Sequence, residues 1–166
     1  MMRTTQLCRG LIVLVVWLLA ACSSSNSTPP VAYYNLDVQG QNQLNGGAPL
    51  KVRVVLLSSD AEFMSADFYS LQNQSATVLG SAQLNTQQFF LTPEQRSKTL
   101  RIKSLPETRF IGIMAEYQSL DGKVWRLSLP IPEEESPSFW AFWKRNDGEL
   151  NARIVAGMNG LRVEKQ

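Results

Sequence analysis

The chain has no histidine and only two cysteines in 166 residues. Without imidazole it lacks the commonest general base and a principal zinc ligand. The cysteines, Cys8 and Cys22, both lie near the start, so the chain beyond them can form no internal disulfide. A zinc site would have to use carboxylates alone, which is unusual. Charge is sparse and nearly balanced, with 16 Lys+Arg against 14 Asp+Glu. No basic cluster emerges, so nucleic acid is not an expected partner. Also missing are a Gly-x-Ser-x-Gly elbow, a phosphate-binding loop and a Gly-x-Gly-x-x-Gly turn. No constellation capable of running a reaction is left, and the chain is not expected to be an enzyme. No cofactor and no metal are expected either.

What the start does contain is an apolar run from Leu11 to Ala21, 11 residues long. That is short of the roughly 20 residues needed to cross a bilayer as a helix. Arg3 and Arg9 precede it and small residues end it, the pattern of a secretory signal. Its last residues, Leu19-Ala20-Ala21-Cys22, resemble the lipobox of bacterial lipoproteins. The resemblance implies that residues 1–21 are a signal peptide and that cleavage falls between Ala21 and Cys22. It also implies a covalent lipid on the Cys22 sulfur. Acyl chains contribute about 0.8 kcal/mol per buried methylene, so several chains anchor effectively for good. Ser23 after the cysteine is similar to the pattern of lipoproteins sent to the outer membrane. "SSSNSTPP" has nothing to bury and reads as a flexible tether, making 22–30 a leash and 31–166 the folded domain. Loss of Arg3 and Arg9 leaves 16 − 2 = 14 cations against 14 anions, a net charge near zero.

Within 31–166 a period of two dominates. "LKVRVVLL" places Leu50, Val52, Val54 and Leu56 on one apolar face. "LRIKSL" and "VWRLSLPI" alternate in the same way. Further strands are predicted near "VAYYNLDV" and "TQQFFL". Asp121-Gly122 and Asn159-Gly160 each suit a hairpin turn between flanking strands. One segment departs from this pattern. Ser59-Asp60-Ala61-Glu62 has capping-box spacing, and Ala61, Met64, Phe68 and Leu71 follow at helical intervals. The prediction is a mostly β protein, a β-sandwich of seven to eight strands with one short inserted helix of about three turns.

Other stretches remain to be placed. Glu133-Glu134-Glu135, between Pro132 and Pro137, reads as a solvated loop. Asp60 and Asp67 read as helix-capping and solvating residues. Phe139, Trp140, Phe142 and Trp143 form the densest aromatic patch. At least two of these rings are expected to plug an open end of the sandwich, the others offering a partner or membrane surface. A ligand-binding sandwich stacking a sugar on Trp140 and Trp143 is the alternative for that patch. The uncharged loop Gly40–Pro49, with a lone Leu44, is either slack or a partner-binding loop.

The residues so far also support a family resemblance covering most of 31–166. Asn35, Asp37, Gly40 and Pro49, then "VRVVLL", Phe63, Ala66-Asp67-Phe68, Leu71, Leu79-Gly80, Pro93 and the "IGIMAEYQ…VWR" pair resemble the TssJ family of type VI secretion lipoproteins. Val55 and Leu56 depart from that family's usual Tyr and Gln. The resemblance implies a transthyretin-like β-sandwich, lipid-anchored in the outer membrane and facing the periplasm. Implied partners are outer-membrane lipid, the periplasmic C-terminal part of the inner-membrane TssM, and TssL in the same complex. The partner-binding residues would be Gln41, Asn42, Gln43, Leu44, Asn45, Gly46 and Gly47. A pilotin-like assembly factor is the runner-up.

Overall fold

A computed structural model of the chain describes residues 33–103, 105–132, 142–146 and 149–164. The expected signal, Cys22, the tether, the Glu133–Glu135 run, Phe139 and Trp140 lie outside the described residues.

Among the described residues nine strands and two α-helices follow one another: β1 (Tyr33–Gly40), β2 (Leu50–Leu57), α1 (Ala61–Ser65), α2 (Phe68–Leu79), β3 (Gln83–Leu91), β4 (Ser97–Lys103), β5 (Phe110–Glu116), β6 (Arg126–Pro130), β7 (Lys144–Asn146), β8 (Glu149–Gly157) and β9 (Gly160–Glu164). They form the expected sandwich. One sheet runs β4-β1-β8, with β7 and β9 sharing the far edge of β8; the other runs β3-β2-β5-β6. β1 and β8 pair in parallel, whereas the other strand pairs are antiparallel. The strand beyond the expected eight is β7, three residues cut from the aromatic segment.

The alternation read from sequence builds the core directly. Leu50, Val52, Val54 and Leu56 of β2 meet Leu36 and Val38 of β1, Ile111 and Ile113 of β5 and Ile154 of β8, all essentially inaccessible. At roughly 1.5–3 kcal/mol for each fully buried aliphatic side chain, this layer is the main source of stability. β2 is apolar on its other face too, because that face is covered. Val55, Leu57 and Met114 pack beneath Phe63, Phe68, Leu71 and Leu79 of the two helices. The departures at Val55 and Leu56 thus have a structural role, Val55 under the helices and Leu56 in the sandwich core.

The predicted single helix is two. Ala66 is extended (φ −65°, ψ 151°) and ends α1, and Asp67 begins α2 by accepting from Ser70 N at 3.0 Å and Ser70 Oγ at 2.6 Å. Phase is reset at this break. The buried residues are therefore Phe63, Phe68, Leu71 and Leu79, while Ala61 and Met64 face solvent. Asp60 makes no side-chain cap and instead accepts from Ser128 Oγ on β6 at 2.6 Å, while Ser59 Oγ accepts from Ala61 N at 3.3 Å rather than from Glu62 N, so the reciprocal capping box does not form. Arg126 holds the break closed from β6, donating to Phe63 O and Ala66 O.

Both expected turns are present. Asp121-Gly122 turns where expected, with Lys123 N donating to Leu120 O at 2.9 Å, but inside a nine-residue connection, 117–125, between β5 and β6. In the β8–β9 hairpin Gly157 pairs with Gly160, so Met158 and Asn159 form the tip and the left-handed φ of 100° falls on Gly160. A side chain at Gly160 would strike the Val124 backbone at 2.3 Å, where Val124 and Gly160 form a parallel bridge.

Candidate functional site

The strand directions give the sandwich two different ends. Tyr33 begins β1 at one end, beside the β4–β5 connection. At the opposite end the loops β1–β2, β3–β4, β5–β6 and β8–β9 converge. At ~3.3 Å per residue, the eight residues of β1 separate the two ends by roughly 26 Å.

The β1–β2 loop is not slack. It crosses from one sheet to the other and is tied to two different strand ends at its first foot: Gly40 N donates to Arg96 O at 2.7 Å and Gln41 N to Ala156 O at 2.9 Å. Leu44 is buried in the sandwich core and carries a short 3-10 turn, Leu44–Gly47. Gln43, Asn45, Gly46 and Gly47 all adopt positive φ, between 51° and 86°. Asn45 locks this shape, donating to Pro49 O at 3.0 Å and accepting from Gln118 N of the β5–β6 loop at 2.8 Å. Gln41 accepts from Arg162 Nη1 and Nη2 at 3.2 and 3.1 Å with its amide oriented to suit the guanidinium, and Arg96 donates to Asn42 Oδ1. Of the seven residues predicted to bind a partner, five therefore face solvent: Gln41, Asn42, Gln43, Gly46 and Gly47. Asn45 is half-buried, and Leu44 positions the loop from within rather than offering contact.

Two hollows flank this loop. An open groove of about 700 Å³ lies between it and the β5–β6 loop, lined by Gln43, Gly46, Gln118, Ser119, Lys123 and Met158. A smaller one of about 130 Å³ lies between it and the β3–β4 turn. Met158 is 66% exposed and Val124 48%, two apolar side chains on a largely polar rim. Sequence reasoning passed over Gln118, Lys123 and Met158, because only the fold brings three separate loops to one end. Beneath the groove sits Tyr117, its hydroxyl buried with no partner in hydrogen-bonding geometry and its pKa pushed up to about 12 by burial.

Asn35 and Asp37, by contrast, lie on the outer face of the larger sheet. Asn35 donates to Glu149 Oε2 at 2.8 Å and Asn151 Oδ1 at 3.0 Å; Asp37 accepts from Gln39 and Arg153. Hydrogen bonds from Arg101 and Asn35 lower the Glu149 pKa. These are cross-strand pairs that fix register.

Of the aromatic patch, Phe142 packs on the core and Trp143 is buried, its Nε1 donating to Pro130 O at 2.9 Å and its ring 6.1 Å from Tyr34. Two rings are thus plugs, and Trp143 is not available to stack a sugar. Among the described residues no group of acidic residues could hold a metal ion, and no helix is long and apolar enough to cross a membrane.

Comparison with known proteins gives the same picture. The family model described as T6SS-SciN (type VI secretion lipoprotein, VasD, EvfM, TssJ, VC_A0113) matches residues 32–156. The chain belongs to this family. Among solved structures it is similar to Serratia marcescens Lip, described as a membrane-bound component of the type VI secretion system. The TM-score is 0.71 with 50% identity, over 81% of this chain and 98% of that one. The lipoprotein TssJ1 of Pseudomonas aeruginosa shares the fold at a TM-score of 0.68 and 22% identity, over 82% and 98% of the two chains. So does a chain in a structure described as the TssM C-terminal domain from EAEC, at a TM-score of 0.61 and 18% identity, over 82% and 100%. A comparison with curated proteins found no match. As a TssJ-family chain, the protein is a type VI secretion lipoprotein with the mostly β sandwich of its relatives.

Proposed function

We propose that this chain is a non-catalytic anchor in the outer membrane. A lipid on Cys22 holds the membrane, and the loop end binds the periplasmic C-terminal part of TssM, with TssL in the same assembly. The observation that carries this reading is the polarity of the sandwich. The chain enters the sandwich at Tyr33, and the locked β1–β2 loop stands at the other end, about 26 Å from it. A loop fixed by four left-handed residues and a buried leucine is pre-organised, so little ordering entropy remains to be lost on binding. The match to a chain in a TssM structure supports the choice of partner.

The test is binding of the mature chain to the periplasmic C-terminal part of TssM. Asn42→Glu with Gln43→Glu alters the exposed tip and leaves Leu44 in the core, which deletion of residues 41–47 would not. Binding weakened at least about tenfold, with an unchanged circular-dichroism spectrum, is the expected result. Equal affinity in the double variant would remove the loop from the interface.

A further inference from the structure

The edges of the two sheets are not treated alike. β4 carries Lys98, Arg101 and Lys103; β6 is five residues long and ends in Pro130; β7 has three residues; β9 has five, including Arg162 and Glu164. Charge, proline and short length are the devices by which natural sheets discourage pairing at an edge. β3 uses none of these beyond a bulge at Leu84 near its start. Its nine residues, Gln83–Leu91, contain no charge and no proline, and among the described residues it pairs only with β2, in unbroken register from Asn85 to Leu91. Phe90 lies 55% exposed on its outer face, opposite Lys51.

We propose that β3 is a docking edge for an extended segment of the periplasmic partner, which adds as a further strand beside Gln83–Leu91. The inference rests on the reading of the loop end as partner-binding. Continuity with that end selects the occupant. β3 terminates at Leu91, in the wall of the hollow that Asn42, Leu44, Thr92, Pro93 and Arg96 also line, so a segment leaving the β1–β2 loop meets the free edge of β3 next. A second copy fits less well. Antiparallel self-pairing through β3 would turn one molecule end over end and point its Tyr33 end away from the membrane that holds the other. The chain's own leader fits poorly too. Residues 23–32 reach at most about 36 Å fully extended, and lying along β3 would leave no length to reach the bilayer.

Side chains flanking the edge define what would be accepted. Thr86, Gln88 and Phe90 share the outer face, and Gln87 and Phe89 the inner one. The added strand is therefore uncharged, with an apolar residue beside Phe90 and hydroxyl or amide residues beside Thr86 and Gln88.

Hydrogen exchange on the mature acylated chain in nanodiscs, with and without the periplasmic C-terminal part of TssM, tests this. Amides of residues 83–91 should slow at least about tenfold on binding, together with those of 41–47. Gln87→Lys with Gln88→Lys should weaken the complex about tenfold. Protection of 41–47 with unchanged exchange in 83–91 overturns the docking edge and leaves the loop reading standing. Absence of any complex overturns both. Protection of 83–91 without the partner, rising with the chain's own surface density, assigns the edge to a second copy and overturns the proposal.

Discussion

Arg53 is the one charged side chain among the described residues that is buried, and its position explains a bend in the helix above it. Gln74 leaves helical geometry (φ −136°, ψ 33°), and the carbonyls of Leu71 and Gln72 accept from Arg53 at 2.7 and 3.2 Å. The guanidinium also donates to Glu116 at 3.2 Å, and Glu116 further accepts from Lys51 and Gln72. Replacement of Arg53 by Met should cost about 2–3 kcal/mol, since two carbonyls lose a charged donor while Glu116 keeps two partners. A lower urea midpoint with an unchanged slope would show it. Tyr117 should behave oppositely. Its buried hydroxyl lies against the Gly157 backbone without a well-formed hydrogen bond, so a weak contact and the desolvation cost offset, and Tyr117→Phe is expected to change stability at pH 7 by under about 0.5 kcal/mol. Its folded pKa of about 12 lies above the ordinary value near 10, so the unfolded chain gives up this proton first as pH rises. The contribution is complete below pH ~10 and is lost progressively from there toward 12, about 2–3 kcal/mol in all. The wild type should therefore fall relative to Tyr117→Phe in melts at pH 10.5 and above. Parallel curves for the two proteins would contradict the burial argument.

Among the secondary-structure elements, α2 depends on Asp67. Two hydrogen bonds from Ser70 lower its pKa, so the native chain favours the carboxylate. Asp67→Ala should lower the melting temperature at pH 7. The gap to wild type should close on acidification below pH ~4, because a lowered pKa stabilises only while the carboxylate is charged. A gap that stayed constant down to pH 2 would mean that the cap works through shape rather than charge. The same segment shows where the sequence was legible. β2 is legible because Leu50, Val52, Val54 and Leu56 place an apolar residue at every second position, whereas the helical pattern is out of phase with the two helices that form. Met64 and Phe68 are four apart, the spacing of one helix face, but Ala66 turns extended between them. The available signal was Asp67-x-x-Ser70, a second cap inside an apparently continuous helix. Leu44 carried a comparable clue, since a single leucine in an uncharged glycine-rich loop was an anchor seeking the core. The groove left no such trace. Its walls come from residues near 45, 118 and 158, and the parallel pairing of β1 with β8 together with the antiparallel pairing of β2 with β5 brings these to one end.

For the molecule as a whole, the proposed anchor precedes Tyr33 and the proposed binding surface is the loop end across the sandwich, so the two should be separable by mutation. Cys22→Ser removes the proposed acylation site and leaves the sequence from Tyr33 to Glu164 unchanged. That variant should leave the membrane fraction for the soluble periplasmic one, because a chain without acyl groups retains none of the ~0.8 kcal/mol per methylene that holds it. Its affinity for the partner in solution should equal that of wild type, since β1 keeps the loop end about 26 Å from Tyr33 whether or not a lipid precedes it. Secretion should nevertheless stop, because an anchor that binds its partner but no membrane transmits no load. The tip variants at Asn42 and Gln43 should give the complementary result, membrane-bound but unable to hold the partner. If Cys22→Ser supported normal secretion, the chain would be acting through binding alone, as an assembly factor does. If it lost affinity as well, the tether would belong to the interface, and the separation of the two ends would not describe how the protein works.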